Sequence, residues 1–232
     1  MDIACNIKQL KAEIPSGVKL VAVSKTQPVE AITEAYKNGQ KIFGENKVQE
    51  LTAKYEQLSG LDIEWHLIGH LQTNKVKYIA PFVDMIQSVD SLKLLAEINK
   101  YAEKNSRIIN CLLQFHIAME ETKYGLDYDE AAKIIESEEY KSFRNINICG
   151  VMGIASFVED DEKIKKEFKI LKNYFTELKN NFFQGNNNFS EISMGMSGDW
   201  KLAIEEGSTI IRIGTAIFGN RNYNNQNKTL FV

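Results

Sequence analysis

Eight short apolar segments recur along the chain, and this recurrence is the feature that most restricts its fold. Most are rich in Val, Ile and Leu and alternate poorly between apolar and polar residues, as expected for strands that are buried on both faces. Segments of helical length separate them, which is typical of parallel strands joined by helices. The eight segments begin near Val18, Gln40, Ile63, Phe82, Ile108, Ile146, Glu191 and Ser208.

Helical periodicity is clearest in three of the intervening segments. Apolar residues recur at intervals of three and four over 48–58 and over 164–178, which predicts amphipathic helices. A shorter stripe over 29–36 follows Pro28, and a proline suits a first helical position. The stretch 180–188 is rich in asparagine and predicts a loop before the seventh strand.

With 232 residues, a chain of eight strand and helix units has the length of a closed (β/α)8 TIM barrel. A doubly wound open sheet is the alternative. The sequence shows no convincing internal repeat, and no Pro- or Ser-rich linker divides it. We therefore expect residues 1–232 to form a single domain.

Composition excludes several classes of protein. Lys and Arg total 28 and Asp and Glu total 31, a formal net charge of -3, so no general attraction to nucleic acid or anionic lipid is expected. The N-terminal segment lacks the apolar core of a signal peptide, and no apolar run is long enough to span a membrane. Cys5, Cys111 and Cys149 are widely spaced, which is typical of reduced thiols in a cytoplasmic protein.

In a parallel barrel, chemistry gathers where strands end and the loops to the helices begin. Lys25 occupies this place after the first predicted strand. Partial burial there disfavours the ammonium form, and a neutral amine attacks aldehydes, which predicts a Schiff base to a carbonyl compound. A lysine whose amine only reaches solvent from the strand end is the alternative.

A second group of residues predicts a phosphate site after the last two strands. Gly214 and Thr215 follow the eighth strand, where barrels often bind phosphate with backbone N–H groups and hydroxyls. Ser193 and Ser197 add hydroxyl groups from the preceding loop. In the alternative interpretation, Gly214 only serves the turn and Ser197 only caps the next helix.

Two other segments resemble a P-loop and a zinc site, but each lacks a residue that the motif requires. The segment 214–219 spaces its glycines like a P-loop, but an Asn-Arg pair follows where Lys and Ser or Thr are required. His66 and His70 lie four residues apart, yet no glutamate follows the first histidine and the segment is predicted as a strand. We therefore expect no metal site.

Five ordered motifs resemble the pyridoxal phosphate (PLP) homeostasis protein family, also called the proline synthetase co-transcribed family. The resemblance covers about residues 18–219, nearly the whole chain. It implies the barrel fold of the alanine racemase N-terminal domain, with PLP as the cofactor. The motifs are VAVSKTQP from Val21, IFGENKVQE from Ile42, IEWHLIGHLQTNK from Ile63, SMGMSGDWKLAI from Ser193 and GSTIIRIGTAIFG from Gly207.

The resemblance also implies a role for each candidate residue. Lys25 matches the lysine that holds the PLP aldehyde as an internal aldimine. Arg212 matches an arginine that faces the pyridine nitrogen, which a permanent cation keeps unprotonated. Ser193, Ser197, Gly214 and Thr215 match positions that bind the phosphate, and Asn46 and His66 match residues that line the site. In the alternative interpretation, Asn46 and His66 only orient loops and do not touch PLP. His70 and the segment 116–118, which begins at His116, depart from the family pattern on the substrate side.

The choice between enzyme and carrier depends on a second proton-transfer group. Racemisation by two bases needs such a group on the opposite face of the cofactor, and the resemblance implies that alanine racemases take it from a separate β-domain of the partner subunit. We expect that domain to be absent, because only 13 residues follow Gly219. We therefore expect a non-catalytic, cytoplasmic, monomeric protein that buffers or delivers PLP. A weak PLP-dependent racemase or lyase is the alternative, and a barrel that docks onto PLP-requiring apoenzymes ranks third.

Overall fold

The computed structural model describes residues 2–118 and 125–219 of the chain. Within these ranges eight parallel strands pair in chain order, and the eighth strand pairs with the first, which closes the barrel. The predicted strands and the predicted (β/α)8 barrel are therefore confirmed, and the open sheet is excluded. The strands are β1 (Lys19–Val23), β2 (Ile42–Glu45), β3 (Glu64–Leu67), β4 (Met85–Val89), β5 (Ile109–Phe115), β6 (Ile146–Gly153), β7 (Glu191–Ser193) and β8 (Ile210–Ile213).

Helices occupy the intervals between the strands. In the described part of the chain they are α1 (Ile3–Glu13), α2 (Val29–Lys37), α3 (Val48–Gln57), α4 (Val76–Ile79), α5 (Leu92–Lys104), α6 (Tyr128–Glu136), α7 (Glu138–Ser142), α8 (Asp161–Asn181), α9 (Trp200–Glu205) and α10 (Thr215–Phe218). The three predicted stripes lie on α2, α3 and α8. A 3-10 turn, Thr73–Lys75, precedes α4.

Two predicted boundaries were wrong by one or two residues. Pro28 is not the first helical residue of α2, because its ψ of 160° is extended and places it at the N-cap. The Asn-rich loop begins after Asn181 instead of at residue 180. The last turn of α8 persists because the N–H of Phe182 still donates to the carbonyl of Leu178 at 2.9 Å.

Alternation along the strands divides the core into two layers. Leu20 and Ala22 of β1 belong to the large outer cluster that includes the helices. Val21 instead faces the barrel interior, where it belongs to a smaller apolar cluster with Met85. Because Val21 is paired in register with Arg212, the same alternation turns the Arg212 side chain into the barrel.

The longer helices of the described residues, such as α5, α6 and α8, are amphipathic. The longest, α8, has 21 residues, and it buries Ile164, Phe168, Leu171 and Phe175 along one face. Its other positions carry many charged side chains. No helix in residues 2–118 and 125–219 is long and apolar enough to cross a lipid bilayer.

Candidate functional site

A cavity of about 630 Å³ opens at the carboxyl ends of the strands. This volume lies within the range of roughly 300 to 1,000 Å³ that small-molecule sites occupy. Loops after β1, β2, β7 and β8 bring the predicted site residues into its wall. Six of them line it: Lys25, Asn46, Ser197, Arg212, Gly214 and Thr215.

The backbone around Lys25 is held on both sides; we call residues 24–26 the lysine loop. Ser24 is fully buried, and its hydroxyl donates to Glu45 Oε1 at 2.6 Å. Thr26 has a φ of 65°, a left-handed conformation that is uncommon for a β-branched residue. The N–H of Thr26 donates to a carboxylate oxygen of Glu50. The half-buried Lys25 therefore projects into the cavity from a fixed backbone.

A buried ionic cluster supports the lysine loop from α3. Lys54 Nζ donates to Glu45 Oε1 at 2.8 Å, to Glu50 Oε1 at 2.7 Å and to the carbonyl of Ser24 at 2.7 Å. Burial raises the pKa of Glu45, and the nearby Lys54 ammonium opposes that rise. Glu45 Oε2 is buried and has no hydrogen-bond partner among the described residues. The cluster consists of Glu45, Glu50 and Lys54.

Asn46 follows β2 directly and is half-buried in the cavity wall. The backbone of Gly69 packs against it from the loop after β3. A Cβ atom on Gly69 would lie 2.4 Å from the Asn46 carbonyl oxygen, so only glycine permits this approach. The close approach of Gly69 therefore helps to fix the backbone position of Asn46.

Arg212 lies on β8 and is 4% exposed. Its Nη1 donates to Ser193 Oγ at 2.6 Å and its Nη2 donates to the Gly153 carbonyl at 2.9 Å. Burial lowers the pKa of Arg212 to about 10, and the Asp199 carboxylate acts in the opposite direction. The guanidinium is therefore a cation at neutral pH, and two hydrogen bonds define its plane at the cavity wall.

The loop after β7 and the start of α10 form the predicted anion site. The N–H of Gly214 donates to Ser197 Oγ at 3.3 Å, and the Ser197 hydroxyl proton can still donate to a ligand. Gly195 has a φ of 95°, which favours glycine, and its carbonyl accepts the N–H of Arg212 at 3.0 Å. The Ser197 hydroxyl, which accepts the Gly214 N–H, thus lies in the same cavity wall as the Arg212 cation.

Ser193 and His66 lie behind the cavity wall. Both side chains are fully buried. Ser193 contacts Arg212 directly, whereas His66 reaches it through Gln87, since Gln87 hydrogen-bonds both His66 and Ser193. The resemblance implies phosphate binding for Ser193 and a place in the lining for His66. Neither residue is among those that line the cavity, and hydrogen bonds connect both of them to Arg212.

The loop after β6, residues 154–158, forms a different part of the mouth; we call it the β6 loop. Phe157 lines the cavity and is 97% exposed, and Ile154 and Val158 are also exposed. Ser156 is buried, and its N–H and hydroxyl both donate to the Glu167 carboxylate of α8, at 2.6 and 2.7 Å. The Glu167 carboxylate and the buried Ala155 therefore tie the loop to the barrel, while its other three side chains are exposed.

His70, which departs from the family pattern, lies beside the loop after β4. Its Nδ1 is 3.4 Å from Asp90 Oδ2, and 42% of the side chain is exposed. In the part of the chain that the structure describes, no group of three His, Cys, Asp or Glu side chains is arranged to hold a metal ion. The arrangement of His66 also differs from a zinc site, because its two ring nitrogens face Gln87 and Glu64.

Comparison with known proteins identifies the family. A model of the alanine racemase N-terminal domain matches residues 2–222. A pyridoxal phosphate homeostasis protein of Aquifex aeolicus is 42% identical over 205 residues, 88% of this chain and 88% of that protein. The chain belongs to the pyridoxal phosphate homeostasis protein family. The family resemblance inferred from the five motifs is thereby confirmed.

Solved structures similar to this PLP homeostasis family member share its barrel. PipY of Synechococcus elongatus PCC7942 without PLP has a TM-score of 0.87 at 37% identity, covering 94% of this chain and 100% of that chain. PipY with PLP bound has a TM-score of 0.84 at 36% identity and the same coverage. An alanine racemase of Clostridium difficile 630 has a TM-score of 0.76 at 15% identity, covering 96% of this chain and 58% of that chain. At that identity the likeness shows the fold alone.

Proposed function

We propose that this protein binds PLP, holds it as a Schiff base on Lys25, and buffers or delivers the cofactor without catalysing a reaction. One observation carries the proposal: a single cavity is lined by Lys25, by the Arg212 cation, by the hydroxyl residues Ser197 and Thr215, and by Gly214. The names of the relatives and the PLP bound to PipY support it.

The groups in the cavity wall fit the three functional parts of PLP. A primary amine, here Lys25, forms a C=N bond with an aldehyde, whose oxygen leaves as water. A guanidinium, here Arg212, suits an unprotonated pyridine nitrogen. The Ser197 and Thr215 hydroxyls suit a phosphate. Asn46 is the remaining wall residue that we assign to PLP binding.

The acidic groups around the cavity favour a carrier over an enzyme. A two-base reaction needs a second proton-transfer group held in a fixed place. In the described wall, the carboxylates are Glu159 and Asp161, which are exposed at the rim, and Asp199. The Asp199 carboxylate accepts the N–H of Met196, and burial raises its pKa. Glu159 and Asp161 are thus too exposed to be held in a fixed place, and the Asp199 carboxylate is already bonded to the Met196 N–H.

Covalent trapping tests the proposal. Wild-type protein is mixed with PLP, reduced with borohydride and digested, and the labelled peptide is identified by mass spectrometry. We expect one PLP per chain on Lys25 and no label at that place in Lys25→Ala. The matched control is Lys47→Ala, an exposed lysine near the same rim, which should label like wild type. Equal labelling of Lys25→Ala and wild type would overturn the assignment of the Schiff base.

A weak PLP-dependent racemase or lyase is the second candidate, because the alanine racemase N-terminal domain model matches residues 2–222. PLP-loaded protein is incubated with each proteinogenic L-amino acid, and the products are separated by chiral chromatography. We expect no turnover above that of free PLP. Formation of a D-isomer, or cleavage of the amino acid, that is lost in Lys25→Ala would establish this candidate instead.

We further propose a cytoplasmic monomer whose recipients are PLP-requiring apoenzymes. The thiols of Cys111 and Cys149 are buried, and burial raises the pKa of Cys149 to about 11. Such a thiol stays protonated and unreactive at neutral pH, as suits a reduced cysteine with a packing role.

A further inference from the structure

A chain of hydrogen-bonded side chains crosses the barrel interior from the cavity wall toward the amino ends of the strands. Arg212 Nη1 donates to Ser193 Oγ at 2.6 Å, and Ser193 Oγ donates to Gln87 Oε1 at 2.6 Å. Gln87 Nε2 lies 2.9 Å from His66 Nδ1, and His66 Nε2 lies 2.9 Å from Glu64 Oε1. We call these five residues the relay.

The relay is buried along most of its length. Ser193, Gln87 and His66 are 0% exposed, and Arg212 is 4% exposed. Only Glu64 reaches the surface, with 45% of its side chain exposed. The hydrogen bond from His66 lowers the pKa of Glu64, and burial acts in the opposite direction. Glu64 is therefore an ionised acceptor at neutral pH.

The two ends of the relay determine the direction of every hydrogen bond in it. A guanidinium only donates and a carboxylate only accepts. Ser193 Oγ accepts from Arg212 and therefore donates its own proton onward, to the carbonyl oxygen of Gln87. The Gln87 amide nitrogen then faces His66 Nδ1, which must accept. A neutral His66 consequently carries its proton on Nε2, where it donates to Glu64.

The reverse orientation of Gln87 fails on the same grounds. It would aim the amide N–H at a Ser193 oxygen that already accepts from Arg212, and the hydroxyl proton would lose its acceptor. It would also require a proton on His66 Nδ1. A neutral ring would then present a bare Nε2 to the Glu64 carboxylate, which cannot donate. Because an unpaired buried polar group costs free energy, the relay with a neutral imidazole has one favourable arrangement.

From this geometry we infer that His66 and Gln87 are positioning residues that orient Arg212 through Ser193, with His66 held as the Nε2–H tautomer. The inference rests on the proposed function for the ligand that Arg212 faces. The apolar layers that usually fill barrels give way here to polar side chains of β3, β4, β7 and β8. Ser193 and the Gly153 carbonyl set the guanidinium plane, which leaves its other N–H groups for the cavity.

Substitutions at Gln87 separate orientation of Arg212 from packing of the barrel. Gln87→Leu keeps the volume but removes the acceptor of Ser193 and the donor to His66. Gln87→Glu keeps the acceptor of Ser193 and replaces the donor to His66 by a second acceptor. The matched control is Gln40→Leu, a glutamine that is 2% exposed and donates to the Leu20 and Ile42 carbonyls, away from the relay.

The first measurement is nitrogen NMR of isotope-labelled protein without PLP in neutral buffer, with His66 assigned by a His66→Asn variant. We expect a protonated Nε2 and a bare Nδ1 in wild type and Gln40→Leu. Gln87→Glu should move a proton onto Nδ1, and Gln87→Leu should leave two tautomers in exchange. A protonated Nδ1 or exchanging tautomers in wild type would overturn the inference.

The second measurement is the equilibrium affinity for PLP, together with the absorption spectrum of the bound form. We expect Gln87→Leu to bind PLP about tenfold more weakly and to shift the spectrum, because the Ser193 hydroxyl loses its acceptor. Gln87→Glu should stay within about threefold of wild type, since Ser193 keeps an acceptor. Equal affinities and spectra for Gln87→Leu and Gln40→Leu would overturn the role in positioning. Failure of wild type to bind PLP would refute the proposed function, while the tautomer measurement would still test the relay.

Discussion

On the lysine side of the cavity mouth, Ser24 and Glu45 are fully buried, whereas on the β6 side Phe157 leaves 97% of its surface in solvent. The lysine loop is held by a cluster in which one ammonium makes three hydrogen bonds of 2.7 to 2.8 Å. The β6 loop is held by the two hydrogen bonds from Ser156 to the Glu167 carboxylate and by the buried Ala155, whereas its other three side chains are exposed.

One cavity mouth can therefore both fix a ligand and allow its exchange. A lysine that forms a covalent bond must present its amine at one place, so its backbone is fixed beforehand. A mouth through which a ligand passes needs a side with few buried contacts, and such segments open at low free-energy cost. In the proposed carrier, the lysine loop therefore supplies the fixed side and the β6 loop supplies the side that can move.

The largest expected effect comes from removing the ammonium of the ionic cluster. Lys54→Met leaves the buried Glu45 without its cation, and we expect a loss of about 3–5 kcal/mol in the free energy of unfolding. Urea denaturation at neutral pH measures this loss. Burial disfavours the charged form of Glu45 and raises its pKa, so the loss of stability in Lys54→Met arises from the charged carboxylate. The penalty should therefore shrink as the pH falls toward the ordinary pKa of glutamate, where Glu45 becomes neutral.

An exposed ion pair provides the control for that substitution. Lys100 pairs with Glu97 on the surface of α5 at 2.9 Å, and Lys100→Met should change stability little. If Lys54→Met cost no more than Lys100→Met, the cluster would not fix the lysine loop. If its cost were the same at neutral and acid pH, the charge on Glu45 would not be its cause.

An intermediate effect is expected on the β6 side. Glu167→Gln keeps the shape of the side chain but replaces one of the two oxygens that accept from Ser156. We expect a loss of about 1–3 kcal/mol and faster amide hydrogen exchange confined to residues 154–158. Glu177→Gln, an exposed position on the same helix, is the matched control and should show neither change. Unchanged exchange in Glu167→Gln would show that other contacts hold the β6 loop.

The parts of the molecule that could be predicted are those in which one segment determines the outcome. The strands follow from local apolar composition, and Lys25, Gly214 and Thr215 follow from their places after strands. The rule that chemistry gathers at strand ends in a barrel then brings them together, and the structure places all three in one cavity wall.

The supporting contacts could not be predicted, because the fold alone brings the partners together. Lys54 lies next to the apolar stripe of α3, so the sequence alone suggests an exposed lysine. Its buried partner Glu45 is on β2 and is brought to it only by the fold. Glu64 and His66 are two residues apart, a spacing that puts them on one face of a strand. That spacing does not reveal Gln87 on β4 or Ser193 on β7, which complete the relay.

The smallest effect is expected from Phe157→Ser, on the exposed β6 side of the mouth. The ring is 97% exposed, so its removal should change the free energy of unfolding by less than about 0.5 kcal/mol. The positive control is Phe43→Ser, a fully buried ring of the outer core, which should cost at least about 3 kcal/mol. Because Phe157 nevertheless lines the cavity, stopped-flow release of PLP is measured on the same samples. A change in release without a change in stability would place Phe157 on the route of the ligand. A stability loss as large as that of Glu167→Gln would instead mean that the β6 loop is held by its apolar residues, and the contrast between the two sides of the mouth would fail.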